Sequence, residues 1–170
     1  MKHSIIMIGL VLTLLLASCT ARNPGPKIEK MKAEIPELAT FIENNADSLD
    51  TLLQFQSQIT EYKYHISGRK VSVSTIEERF NANSRSYYID ICDNFDSSVK
   101  EALHALSDAI PEVTITILPD ELTLLIKKNR GKDVYMYLSN KYTPYRSQSD
   151  VYCEQIDETW YAVLIYAPPG

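Results

Sequence analysis

EVTITILPDELTLLIKKNRGKDVYMYL, residues 112–138, decides the fold. In its first seven residues Val113, Ile115 and Ile117 alternate with Thr114 and Thr116. That period of two belongs to a strand with one face buried and one face wet. Pro119-Asp120 is turn chemistry, and Leu122–Lys128 then pairs back. Asn129 to Lys132 turns the chain again, and Val134, Met136 and Leu138 oppose Tyr135 and Tyr137. Short turns between such segments favour antiparallel neighbours over parallel crossovers.

Outward from this stretch, Val151–Ile156 and Thr159–Ala167 form a hairpin around Asp157-Glu158. Toward the N-terminus, Asp96–Ile110 carries Val99, Leu103, Leu106 and Ile110 on one helical stripe, and Pro111 stops it. Ser86–Cys92 and Lys70–Thr75 alternate as strands. In the former Tyr87, Ile89 and Ile91 share a face, and in the latter Val71 and Val73 do. Ser74 or Thr75 with Glu77 or Glu78 has the spacing of a capping box. Pro36 suits the first turn of a helix running to about Tyr62, with Asn44-Asn45 its weak point. The expected class is α+β: an antiparallel sheet packed on one face by two helices. Its C-terminal meander has about five strands, with one or two earlier ones.

The chain has 170 residues and a formal charge of −5, with 45% hydrophobic and 23% charged residues. Those are globular values. A net acidic chain is a poor holder of nucleic acid, which needs a basic stripe. Five glycines, scattered, exclude the usual Gly-rich phosphate cradles. No GxSxG elbow or HExxH pair occurs.

Lys2 opens a short positive segment, and Ile5–Ala17 is apolar but too short for a helix spanning a bilayer. Leu16-Ala17-Ser18-Cys19 resembles the lipobox of bacterial lipoprotein precursors. The resemblance covers only the first nineteen residues. It implies cleavage before Cys19 and acylation of its thiol. The expected organisation is therefore a removed signal peptide (1–18), a lipidated Cys19 with a flexible tether (19–33), and a single domain (34–170). The expected location is an external membrane face of a bacterial envelope, the outer membrane where the cell has one. Loss of Lys2 takes the charge to −6. The tether reaches at most about 45 Å at about 3.3 Å per residue.

Candidate chemistry in the rest is sparse, so catalytic residues are unknown and neither a metal nor a cofactor is expected. Asp90, Asp93 and Asp96 are spaced by three but lack the Gly and distal Glu of a calcium loop, and read better as helix-capping carboxylates. His104 lies off its helix stripe and reads as solvated, while His65 reads as a cation favoured near a helix end. Glu121 and Asp133 could serve as acid and base only in a cleft that raised one pKa. Cys92 and Cys153 fit either a disulfide or two buried thiols.

Tyrosine is the unusual component: 11 in all, seven at or after Tyr135, with Trp160 among them. Tyr135, Tyr137 and Tyr152 suit half-buried strands. Tyr142 and Tyr145 fall in a loop, where strand propensity does not account for them. Tyr142, Tyr145, Tyr135, Tyr137 and Trp160 are thus the candidate contact residues for a protein or glycan partner. The leading expectation is a lipid-anchored, non-catalytic binding domain. The alternatives are a small carboxylate-dependent envelope hydrolase and a structural or immunity-type lipoprotein.

Overall fold

The alternating stretch does build the centre of a sheet. The computed structural model describes residues 25–78, 84–110, 112–129, 134–142 and 151–166. Within them run helices α1 (Gly25–Lys32), α2 (Ile35–Asn44) and α3 (Ala46–Gln58), then strands β1 (Tyr62–Ser67), β2 (Lys70–Thr75) and β3 (Arg85–Tyr88). A single 3-10 turn (Ile89–Ile91) leads to helix α4 (Ser97–Ala109). Strands β4 (Thr114–Leu118), β5 (Glu121–Asn129), β6 (Val134–Ser139), β7 (Val151–Gln155) and β8 (Tyr161–Tyr166) follow. All described pairings are antiparallel, in the order β3-β2-β1-β4-β5-β6-β8-β7. The class is α+β, as the periodicities predict.

The registers bring one set of side chains to one face. Tyr64 lies opposite Ile117, Ile115 opposite Leu124, Leu124 opposite Leu138, and Leu138 opposite Ala162. Leu49 and Leu52 of α3 and Val99, Leu103 and Leu106 of α4 pack on this face over β1, β2, β4 and β5. Ile28 and Met31 of α1 and Ile35 and Leu38 of α2 cover its other end, over Val134, Met136, Leu164 and Tyr166. Every described helix therefore lies on the same side. Burying an apolar stripe against the sheet is the largest favourable contribution, at about 25 cal/mol per Å².

Several expectations are corrected. The stretch expected as a tether is helical from Gly25 to Lys32, because Ile28 and Met31 find a buried site against β6 and β8. The long first helix is two helices. Asn45 ends α2 by returning its Nδ2 to the Phe41 carbonyl at 2.8 Å, and α3 starts from the same residue. It does not reach Tyr62, which instead opens β1. Ile91 does not share the face of Ile89. The strand stops at Tyr88 and the 3-10 turn sends Ile91 outward, 63% exposed, while Ile89 is buried.

The C-terminal strands do not form a simple meander, since β8 inserts between β6 and β7. Side-chain chemistry accounts for the swap. Ala162, Val163, Leu164 and Tyr166 are all buried, so β8 is apolar on both faces and suits an interior place. Glu154 and Gln155 are exposed, and polar residues suit the edge that β7 occupies. Lys32 Nζ sits 3.9 Å over the Tyr152 ring, tying α1 to that edge strand on the helix side.

A bulge in β5 between Leu125 and Lys127 changes the alternation. Leu122 and Leu124 face the helices, and Ile126 packs with both cores. The extra residue lets Lys128 pair with Tyr135 on the opposite face instead of following Ile126 inward. Lys127 stays on the helix side and meets Glu34 at 2.6 Å.

Candidate functional site: the open face of the sheet

Every described helix lies on one side, so among the described residues no helix covers the other face of the sheet. Strand parity fills it with Thr and His at the centre and with Tyr and aliphatics toward β7. Across β6, β8 and β7, Tyr135 aligns with Ile165 and Val151, and Tyr137 with Val163 and Cys153. Tyr161 aligns with Ser139 and Gln155 in the next row. The Tyr135 and Tyr137 rings are stacked, with centroids 6.4 Å apart and planes at 26°. Lys128 Nζ lies 5.3 Å from the Tyr135 centroid, within cation–π range. Tyr142 is 53% exposed and leans on Tyr161, with centroids 5.6 Å apart. Four of these tyrosines thus edge one patch that also presents Leu125, Val151 and Ile165, all part-exposed.

The polar half of the face is quieter. His65 occupies the middle of β1, not a helix end, and its Nδ1 lies 3.3 Å from Thr116 Oγ1. Burial pushes its pKa down, which keeps the imidazole neutral near pH 7. His104, expected to be merely solvated, meets Asp90 at 2.8 Å. Asp96 caps α4 by accepting from Val99 N at 2.9 Å, and that bond, with one from Ser98, holds its carboxyl below the usual range. Of the aspartate triplet, Asp96 caps the helix, and Asp90 instead meets His104. Among the described residues no group of three or more His, Cys, Asp or Glu could hold a metal ion.

Other predicted site residues separate. Tyr135, Tyr137 and Tyr142 come together on the open face, whereas Trp160 does not join them. It is 3% exposed in the helix-side core, because its backbone closes the β7–β8 hairpin. Its N–H donates to Asp157 Oδ1 at 2.8 Å and its carbonyl accepts from Ile156 at 2.8 Å. Tyr152 also faces the helices. Cys19, Tyr145 and Asp133 lie outside the described residues. Glu121 accepts from Thr123 Oγ1 at 3.0 Å.

Cys92 and Cys153 are free thiols, so the disulfide alternative fails. Cys92 sits in the core just after β3, and Cys153 on β7 at the other edge, on the open face. The first and last of eight strands are separated by about 34 Å at about 4.8 Å per spacing, against a limit near 7 Å for a bridge. Burial pushes both thiols up.

Sequence reasoning missed Tyr161, Val163 and Ile165 as face residues. Their signal was present: β8 carries apolar side chains at both parities, which marks a strand whose second face is not simply solvated. Among the described residues no helix is long and apolar enough to cross a membrane. Comparison with family models, with curated proteins and with solved structures finds no match.

Proposed function

We propose that this chain is a lipid-anchored envelope domain that binds a protein or glycan partner through the open face around Tyr135, Tyr137 and Tyr142. The observation that carries the reading is the one-sidedness of the sheet. All described helices pack on one face, while the other presents stacked tyrosines, aliphatic rows and Lys128. Tyr supplies large contact area with little side-chain entropy to lose, and its hydroxyl keeps the face wettable when free. Acidic catalysis has weaker support. Among the described residues, the carboxyls displaced from their ordinary range, Asp96 and Asp120, are both displaced downward, away from what a general acid needs.

Placement outside the cell rests on the resemblance of Leu16-Ala17-Ser18-Cys19 to a lipobox. Two acyl chains at Cys19 anchor stably where one is marginal. Mass spectrometry of the membrane fraction tests this: Cys19 should be the first residue and carry acyl mass. An uncleaved or unmodified Cys19 defeats the anchor. For the binding face, envelope cross-linking should recover a partner with the wild-type chain. Tyr135→Ser with Tyr137→Ser should lose it without loss of folding. Equal recovery with both chains rejects this face.

A further inference from the structure

A concave site lies at the far end of the sheet, away from the tyrosine patch. A cleft of about 470 Å³ opens beside the ends of β2 and β3. That is within the range of about 300–1,000 Å³ usual for small-molecule sites. Its walls are built, not incidental. Lys63, itself 9% exposed, donates from Nζ to the carbonyls of Ile76 (3.2 Å) and Glu78, pinning the turn that leaves β2. Thr75 N–H donates to Glu78 Oε2 at 3.2 Å, and Glu78 N–H returns to the Thr75 carbonyl at 3.2 Å. The first of these bonds is half of a capping box; the second goes to the Thr75 backbone carbonyl, as in a plain turn, rather than to its hydroxyl. Across the cleft, Asn94 is oriented by its Nδ2 bond to Tyr64 Oη at 3.2 Å.

The functional groups that remain available have a definite chemistry. Arg85 lines the cleft, and no ion pair or side-chain hydrogen bond engages it among the described residues. A guanidinium at a cleft is a fork for a carboxylate. Tyr62, 40% exposed, and Tyr87 supply ring faces and phenol hydroxyls. The Asn94 amide and Glu78 carboxylate offer planar donors and acceptors of the kind that read vicinal hydroxyls. Ser74 also lines the cleft. Its Oγ, buried without a hydrogen-bond partner, belongs to the other face of β2, beside Lys63.

We infer that this cleft binds an acidic saccharide. The carboxylate would lie on Arg85, the sugar ring against Tyr62 and Tyr87, and the hydroxyls toward Asn94 and Glu78. The inference stands apart from the open-face reading, since no residue is shared.

Calorimetric titration of the full chain with glucuronate, glucose, acetate and glycine tests it. Glucuronate should bind saturably, with glucose and acetate each at least about tenfold weaker, since each lacks half of the recognised chemistry. Arg85→Gln should weaken glucuronate by about tenfold or more, the usual scale for losing a charged hydrogen bond. Arg85→Lys should fall between the two, and the thermal midpoint should not move, because Arg85 is exposed on an edge strand. Tyr135→Ser with Tyr137→Ser should leave this binding unchanged. Absence of saturable glucuronate binding overturns the inference. So does glucose or acetate binding as well as glucuronate, or insensitivity to Arg85→Gln. Glycine binding more tightly than glucuronate would also overturn it, identifying an amino-acid site.

Discussion

Replacing Trp160 with Ala tests whether this residue is core rather than contact surface. Trp160 is 3% exposed and belongs to the cluster that includes Leu49, Leu52 and Leu138. A buried Trp removes about 200 Å² from water, or about 5 kcal/mol at about 25 cal/mol per Å². That is an upper bound, since unfolded chains already hide some surface. Measured truncations of buried aromatics cost about 3–5 kcal/mol. The backbone bonds to Asp157 and Ile156 survive the change, so the loss is packing alone. For a domain of this size the thermal midpoint should fall by about 10 °C or more. Urea unfolding followed by circular dichroism reads the cost directly. As the only Trp in the chain, Trp160 also reports on itself. Its fluorescence should be blue-shifted and poorly quenched by acrylamide when native. A cost under about 1 kcal/mol, or water-like emission from the native protein, would refute the assignment and return Trp160 to the contact face.

The remaining predictions concern single groups. His65 has its pKa lowered by burial, so the unfolded chain takes up a proton more readily than the folded one. Its contribution is present above the unfolded value of about 6.5 and is lost as pH falls toward the folded value, so His65→Gln should flatten the decline in stability below about pH 6.5. Cys92 is fully buried and Cys153 part-exposed, so maleimide should label Cys153 in the native protein and Cys92 only on unfolding; equal rates would contradict the placement. Lys63→Met should cost about 1–3 kcal/mol by freeing the Ile76 and Glu78 carbonyls, with amide exchange near Thr75 rising first.

Legibility followed local periodicity. β4, β6 and α4 were readable because each holds its own repeat of two or about 3.6 over five or more residues, and β5 from the Pro119-Asp120 turn before it. Asp96, flagged as a capping carboxylate, does cap α4 through Val99. YKYHIS is not legible as β1, because Ile59 and Tyr62 extend the apolar spacing of α3 and carry the expected helix to about Tyr62. Asn44-Asn45 was visible as a weak point, but that the helix breaks there depends on α2 and α3 packing over opposite ends of the sheet. Among the site residues, Tyr142, singled out by its loop position, is 53% exposed. Trp160 misled because aromatic residues are equally at home in a core and at an interface.

By itself, then, the sequence determined the α+β class, the parity that separates Val113, Ile115 and Ile117 from Thr114 and Thr116, and the tyrosine excess near the C-terminus. Those properties depend only on neighbours a few residues apart. The tertiary structure alone decided that β8 enters the sheet between β6 and β7, and that all described helices share one face. It also placed Cys92 and Cys153 at opposite edges and brought Arg85, Tyr62 and Asn94 around one cleft. Each of these outcomes is a competition among long-range pairings. The winner is the arrangement that buries the most apolar surface while leaving polar strands at the edges, and no local pattern encodes that sum.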